Sequence, residues 1–157
     1  MDYKDKLLKY AVYYLSKYSS SKKNLEYILK KKIRRLTEEK KIRYELYQEI
    51  NHIINKLEQL KILNDKVFAE SKINSLLIQA KSKNYIKQYL IRKGVNNKLA
   101  DDQISNFYKK NLNLEKENAL KFAKKKNLLN NKENYEKKLS KMARAGFSYE
   151  IAKEILK

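Results

Sequence analysis

Apolar residues recur along this chain at intervals of three and four, the spacing of one face of an α-helix. Leu7, Leu8, Ala11, Leu15 and Tyr18 form the first stripe and predict a helix from about Asp5 to Lys17. Ser19-Ser20-Ser21 interrupts it and supplies N-cap side chains for a second helix, about Lys22 to Ile33, with Leu25, Ile28 and Leu29 inward. A third covers about Glu38 to Leu60 through Tyr47, Ile50, Ile54 and Leu57, flanked by Tyr44 and Ile53. Asn64-Asp65 opens a fourth, with Ala69, Ile73, Leu76 and Ala80 facing the core. Ser82 opens a fifth, with Ile86, Tyr89 and Leu90, and Asn96 or Asn97 a sixth, with Leu99, Ile104 and Phe107. The seventh, about Leu114 to Lys126, uses Ala119, Leu120, Phe122 and Ala123. Tyr135, Leu139 and Met142 mark the eighth, about Glu133 to Ala145. Ser148 caps the ninth, which carries Ile151, Ala152, Ile155 and Leu156.

The only two glycines occupy one phrase. It reads Leu90-Ile91-Arg92-Lys93-Gly94-Val95 in the fifth helix and Met142-Ala143-Arg144-Ala145-Gly146-Phe147 in the eighth. Ile28-Leu29-Lys30-Lys31-Lys32-Ile33 fits the same template with lysine at the glycine position. Glycine just past a helix end supplies the left-handed residue that closes the last turn. The phrase therefore marks the middle helix of each of three groups, at spacings of roughly 60 and then 50 residues. The expected fold is all-α: three tandem three-helix repeats, residues 1–63, 64–112 and 113–157, stacked into an elongated, curved array. Asn127-Leu128-Leu129-Asn130-Asn131 reads as a loop.

Composition agrees. With no Pro and 2 Gly there is little to break helices, and 42% hydrophobic residues suffice for a core. The absence of Cys excludes disulfides and thiolate metal sites and fits a reducing, cytoplasmic setting. No apolar run approaches a membrane span, and Met1-Asp2-Tyr3-Lys4-Asp5-Lys6 leads into a helix rather than a signal peptide, so no membrane partner is expected.

Charge adds the functional hint. Against 38 Lys and Arg stand 18 Asp and Glu, a formal net charge of +20. AT-rich coding favours Lys, Asn, Tyr and Ile, but it favours Glu equally, and Glu has not kept pace. The excess points to an anionic partner. Lys30, Lys31, Lys32, Arg34 and Arg35 cluster at the end of the second helix, Arg92 and Lys93 close the fifth, and Arg144 the eighth. Stacked repeats would set these cations at intervals along one edge, suiting a periodic polyanion; alternatively they only complement helix dipoles. Most of the 13 tyrosines, including Tyr14, Tyr47, Tyr89 and Tyr135, lie on or beside apolar stripes, whereas Tyr13 and Tyr27 are placed for the surface.

No catalytic or metal-ligating residue is expected, and no cofactor. His52 is the only histidine, and no cysteine accompanies it. The pairs Glu38-Glu39 and Asp101-Asp102 stand near helix starts, where acidic residues favour the dipole. Two glycines cannot make a phosphate-cradling loop.

Three stretches resemble the RecX family. Leu57 through Ala69, with its leucine-rich turn, Asp65 and the Phe68-Ala69 pair, is similar to the family's most characteristic segment. Ile86 through Val95 resembles its middle phrase, and Lys138-Leu139 through Ser148 its C-terminal one. In the turn before Leu63 the family usually carries glycine; Lys61 and Ile62 stand here. The resemblance implies three tandem three-helix repeats. It also implies binding in the groove of the RecA recombinase filament on single-stranded DNA. There the family inhibits ATP hydrolysis and strand exchange and promotes filament disassembly. RecA and single-stranded DNA are the implied partners, with double-stranded DNA a further candidate and a monomer the expected state. A nucleic-acid-binding helical protein acting alone is the alternative.

Overall fold

The structure, a computed structural model, describes residues 2–157. The described residues form nine helices and no strand: α1 (Tyr3–Lys17), α2 (Lys22–Leu36), α3 (Lys40–Gln59), α4 (Asp65–Ile78), α5 (Lys83–Arg92), α6 (Asn97–Lys110), α7 (Leu114–Lys125), α8 (Tyr135–Arg144) and α9 (Tyr149–Ile155). The apolar periodicity thus located every helix, most boundaries falling within two residues.

The starts are set by side-chain caps. Asp2, Ser21, Asn96, Asn134 and Ser148 each accept a hydrogen bond from an amide of the following first turn. Asn64 does the same for Lys66 and Val67, and Ser82 for Tyr85. The ends are set by left-handed residues. Gly94 and Gly146 have φ of +85° and +92°, as their place in the phrase predicts. Lys61, Ala80 and Asn127 also adopt positive φ, of 56°, 57° and 53°. Each of these three is followed by an amide that reaches back to close the turn: Ile62 to the Leu57 carbonyl, Lys81 to Leu76 and Leu128 to Ala123. Leu128, in the Asn-rich loop, is fully buried.

Lys61 therefore holds the conformation that glycine would take without strain. A left-handed L-residue costs on the order of 1–2 kcal/mol. The Lys61 side chain is exposed. Lys61→Gly should accordingly stabilise the protein by about 0.5–1 kcal/mol, read as a raised urea midpoint with unchanged slope. A lowered midpoint would mean that the lysine side chain contributes more than its backbone strain.

Two compact units are formed. The first comprises Met1–Phe68 with Lys93–Val95, and the second Ala69–Arg92 with Asn96–Lys157. In the first, Leu7 and Ala11 of α1, Leu25, Leu29 and Ile33 of α2, and Leu46, Ile50 and Leu57 of α3 make the core. Tyr18, assigned to the first stripe, and Tyr44, placed beside the third, are instead exposed. In the second, Ala119 and Ala123 of α7, Leu128, Met142 of α8, Phe147 and Ala152 of α9 form one cluster, with rings Phe122 and Phe147 5.6 Å apart.

Candidate functional site

The basic run of α2 is laid out by helical geometry. At 100° per residue, Lys30 and Lys32 lie on opposite sides of the helix. Lys30 bonds Glu26 one turn back, so its charge is locally neutralised. Lys31 and Lys32 meet aromatic rings instead: Lys31 Nζ lies 5.1 Å from the ring centre of Tyr27, and Lys32 Nζ 4.6 Å from that of Tyr10 on α1. Arg34 and Arg35 are exposed in the last turn and have no carboxylate partner among the described residues.

The sequence predicts that α2 ends near Ile33. It runs on to Leu36, and no left-handed residue follows it. Lys32 stands at the glycine position of the phrase but remains inside the helix. Arg43 of α3 caps α2 in place of a glycine. Its Nε donates to the Thr37 carbonyl at 2.7 Å and its Nη2 to that of Arg34 at 3.0 Å. Sequence reading missed Arg43, which belongs to no repeated phrase.

The other predicted cations sit at different places. The turn carrying Lys93 and Gly94 packs in the first unit on the start of α2, where the Ser21 hydroxyl donates to the Lys93 carbonyl. That is the opposite end of α2 from Arg34 and Arg35, roughly 20 Å away at 1.5 Å per residue. Arg92 ends α5 and is exposed. Arg144 ends α8 and borders a cavity of about 560 Å³ in the second unit, together with Lys81, Lys126 and the ring of Phe122. Within the first unit, then, α2 gathers Lys31, Lys32, Arg34 and Arg35 and leaves Lys93 apart.

The carboxylates singled out by sequence are peripheral. Glu38, Glu39, Asp101 and Asp102 are exposed; Asp101 pairs with Lys87 at 2.8 Å, and Glu39 precedes α3 without a side-chain capping bond. His52 is exposed on α3. Two other carboxylates, Asp65 and Glu115, cap helices distant in sequence. Asp65 Oδ1 accepts the Lys22 amide at 2.8 Å, and both oxygens of Glu115 accept the Lys83 amide at 3.0 Å. Each satisfies a free amide at the start of a phrase-bearing helix, α2 or α5. Tyr108 donates its hydroxyl to Glu115 at 2.7 Å. Burial pushes the Glu115 carboxyl above its usual range, against the pull of Tyr108 and Lys83. Burial, and then the bond to Glu115, drives the Tyr108 hydroxyl far above the ordinary phenol range. Neither capping role was legible locally, since the bonded residues are 43 and 32 positions apart.

Among the described residues no group of His, Asp or Glu is placed to hold a metal ion, and no helix is long and apolar enough to cross a membrane. The geometry is that of a basic, all-helical protein with cations exposed on its surface. No family model matches the chain. It is 29% identical over 158 residues to the regulatory protein RecX of Myxococcus xanthus (strain DK1622), covering 93% of this chain and 81% of that protein. It is 33% identical over 128 residues to the regulatory protein RecX of Clostridioides difficile (strain 630), covering 75% of this chain and 59% of that one. The crystal structure of RecX from Lactobacillus salivarius superposes with a TM-score of 0.71 at 30% identity, over 98% of this chain and 94% of that one. The chain belongs to the RecX family of regulatory proteins.

Proposed function

We propose that this protein regulates the RecA recombinase by binding in the groove of its filament on single-stranded DNA. Bound there, it inhibits ATP hydrolysis and strand exchange and favours filament disassembly. The observation that carries this reading is the match to a RecX crystal structure over nearly the full length of both chains. The physical requirement is differential affinity: a ligand shifts assembly only as far as it prefers one filament state over another. A net charge of +20 supplies attraction to a nucleoprotein polyanion.

The working body on this reading is three repeats, residues 1–63, 64–112 and 113–157. Two recurring pairs of bonds support it. Asp65 on the Lys22 amide is matched by Glu115 on Lys83, and Ser21 on the Lys93 carbonyl by Ser82 on that of Ala145. A second reading, a nucleic-acid-binding protein acting alone, is favoured by the exposed cations and tyrosines of α1 and α2. Titrating the protein into RecA hydrolysing ATP on single-stranded DNA tests the first reading. Hydrolysis should fall as protein is added. An unchanged rate at concentrations that saturate the DNA would overturn it.

A further inference from the structure

The rings of Tyr10, Tyr14 and Tyr18 form a row at i, i+4, i+8 along α1, ending at its C-cap, with centres 6.5 Å and 5.1 Å apart. Lys32 of α2 covers Tyr10. The four-residue connection between the two helices makes them antiparallel neighbours. Equal rise from the Tyr10–Lys32 contact then brings Tyr14 level with about Ile28, and Tyr18 level with about Asn24. Tyr27, with Lys31 over it, belongs to the same stretch of α2. The carboxylates within these two helices are engaged elsewhere, Asp5 by Lys9 at 2.7 Å and Glu26 by Lys30.

Tyr10 and Tyr14 pack partly on the core. Tyr18 and Tyr27 do not, and are 60% and 57% exposed. Tyr27 lies under Lys31, and Tyr18 extends the row that begins under Lys32 at Tyr10, so the two helices offer ring faces and cations together. Cations hold any phosphate backbone. A ring face stacks only on a base that is not already paired and stacked, which a duplex withholds.

We propose that the α1–α2 face selects single-stranded over double-stranded nucleic acid. Unpaired bases stack on Tyr18 and Tyr27. Lys31, Arg34 and Arg35, which follow Tyr27 at helical spacing on one side of α2, hold the phosphates, and Lys32 adds a cation on the side toward Tyr10. The inference rests on the reading that single-stranded DNA is part of the bound target, and it adds the residues that tell one strand from two.

The test uses the full chain. Tyr18→Leu with Tyr27→Leu keeps apolar bulk and all cations but removes both rings. Affinity for an oligothymidylate should fall about tenfold or more, given the usual strength of base–aromatic stacking. Affinity for a duplex of equal length and the salt dependence of both should stay put. The chain has no Trp, so Tyr27→Trp reports on this face alone. Its emission should be quenched by oligothymidylate and left unchanged by inorganic polyphosphate. Equal losses for single strand and duplex, no loss for either, or equal quenching by polyphosphate would overturn the proposal. So would a blue shift on anionic phospholipid vesicles without quenching by the oligonucleotide, which would assign the face to a membrane. Failure here leaves RecA inhibition by the unmodified protein unaffected, and failure of that inhibition leaves this strand preference measurable.

Discussion

Gly94→Ala should destabilise the protein by about 2–5 kcal/mol, a large share of the roughly 5–15 kcal/mol by which a domain is ordinarily stable. Two costs combine. At φ +85° an alanine adopts a conformation that L-residues avoid, at about 1–2 kcal/mol. Its Cβ would also lie 2.5 Å from Lys23 Cβ and 3.3 Å from Ser21 Oγ. Lys23 Cβ is fixed to the first turn of α2, so relief requires backbone movement, with overpacking typically costing about 1–3 kcal/mol. Asparagine tolerates the left-handed conformation but carries the same Cβ. Gly94→Asn should therefore recover only the conformational part. Urea unfolding followed by far-ultraviolet circular dichroism reads both variants. A loss under about 1 kcal/mol for Gly94→Ala would show that the turn relaxes freely.

Gly146 is held in the same way. At φ +92° its added Cβ would collide with Ser82 Oγ. That hydroxyl cannot turn aside without cost, because it donates to the Ala145 carbonyl at 2.7 Å and accepts the Tyr85 amide at 3.1 Å. Each glycine thus serves two ends: it closes its own helix and admits a serine that caps another, Ser21 at α2 or Ser82 at α5.

Replacing Lys31, Lys32, Arg34 and Arg35 together with glutamine should weaken binding to single-stranded DNA by about two orders of magnitude near 0.15 M salt. The dependence of log affinity on log salt should flatten by about 3, as expected when four phosphate contacts disappear. Folding stability should move by less than about 1 kcal/mol, since the four side chains lie on the surface and forfeit at most cation–π contacts. Lys30→Gln should change the slope far less, because Glu26 already neutralises that lysine. An unchanged slope in the fourfold variant would place the DNA contacts elsewhere on the chain.

Lys30 shows where sequence reading stopped short. Aligned on the glycine phrase, Lys30, Arg92 and Arg144 coincide, but Arg92 and Arg144 end their helices while Lys30 sits inside α2 and faces Glu26. The phrase reports helix closure only where a glycine is present. In its absence α2 continues to Leu36, and Arg43 from α3 satisfies the last carbonyls. The helices themselves were legible, because apolar spacing, Ser and Asn caps, and the two glycines are local signals. The left-handed cap Ala80 was not, since nothing in its side chain announces a positive φ, whereas Asn127 is of a type that tolerates one and Lys61 stands in a turn where the family usually carries glycine. Asp65 and Glu115 were missed for another reason. An acid at a helix start usually serves its own dipole, and these two reach the amides of distant helices.

Of the four cations gathered by α2, Lys31 and Lys32 became informative only with the structure, which puts a tyrosine under each. Tyr27 was placed at the surface by its position off the apolar stripe, and it is 57% exposed. Tyr18 was placed in the core by its spacing from Leu7 and Ala11. It lies outside because it is the C-cap of α1, past the last turn that the core covers.

Whether this protein acts on the RecA filament or on DNA alone is decided most directly by comparing its affinity for bare single-stranded DNA with that for the same DNA coated by RecA, at physiological salt. Binding should be substantially tighter to the coated strand, because only there can differential affinity act on filament assembly. Equal or tighter binding to the bare strand would contradict filament recognition and leave a nucleic-acid-binding protein acting alone.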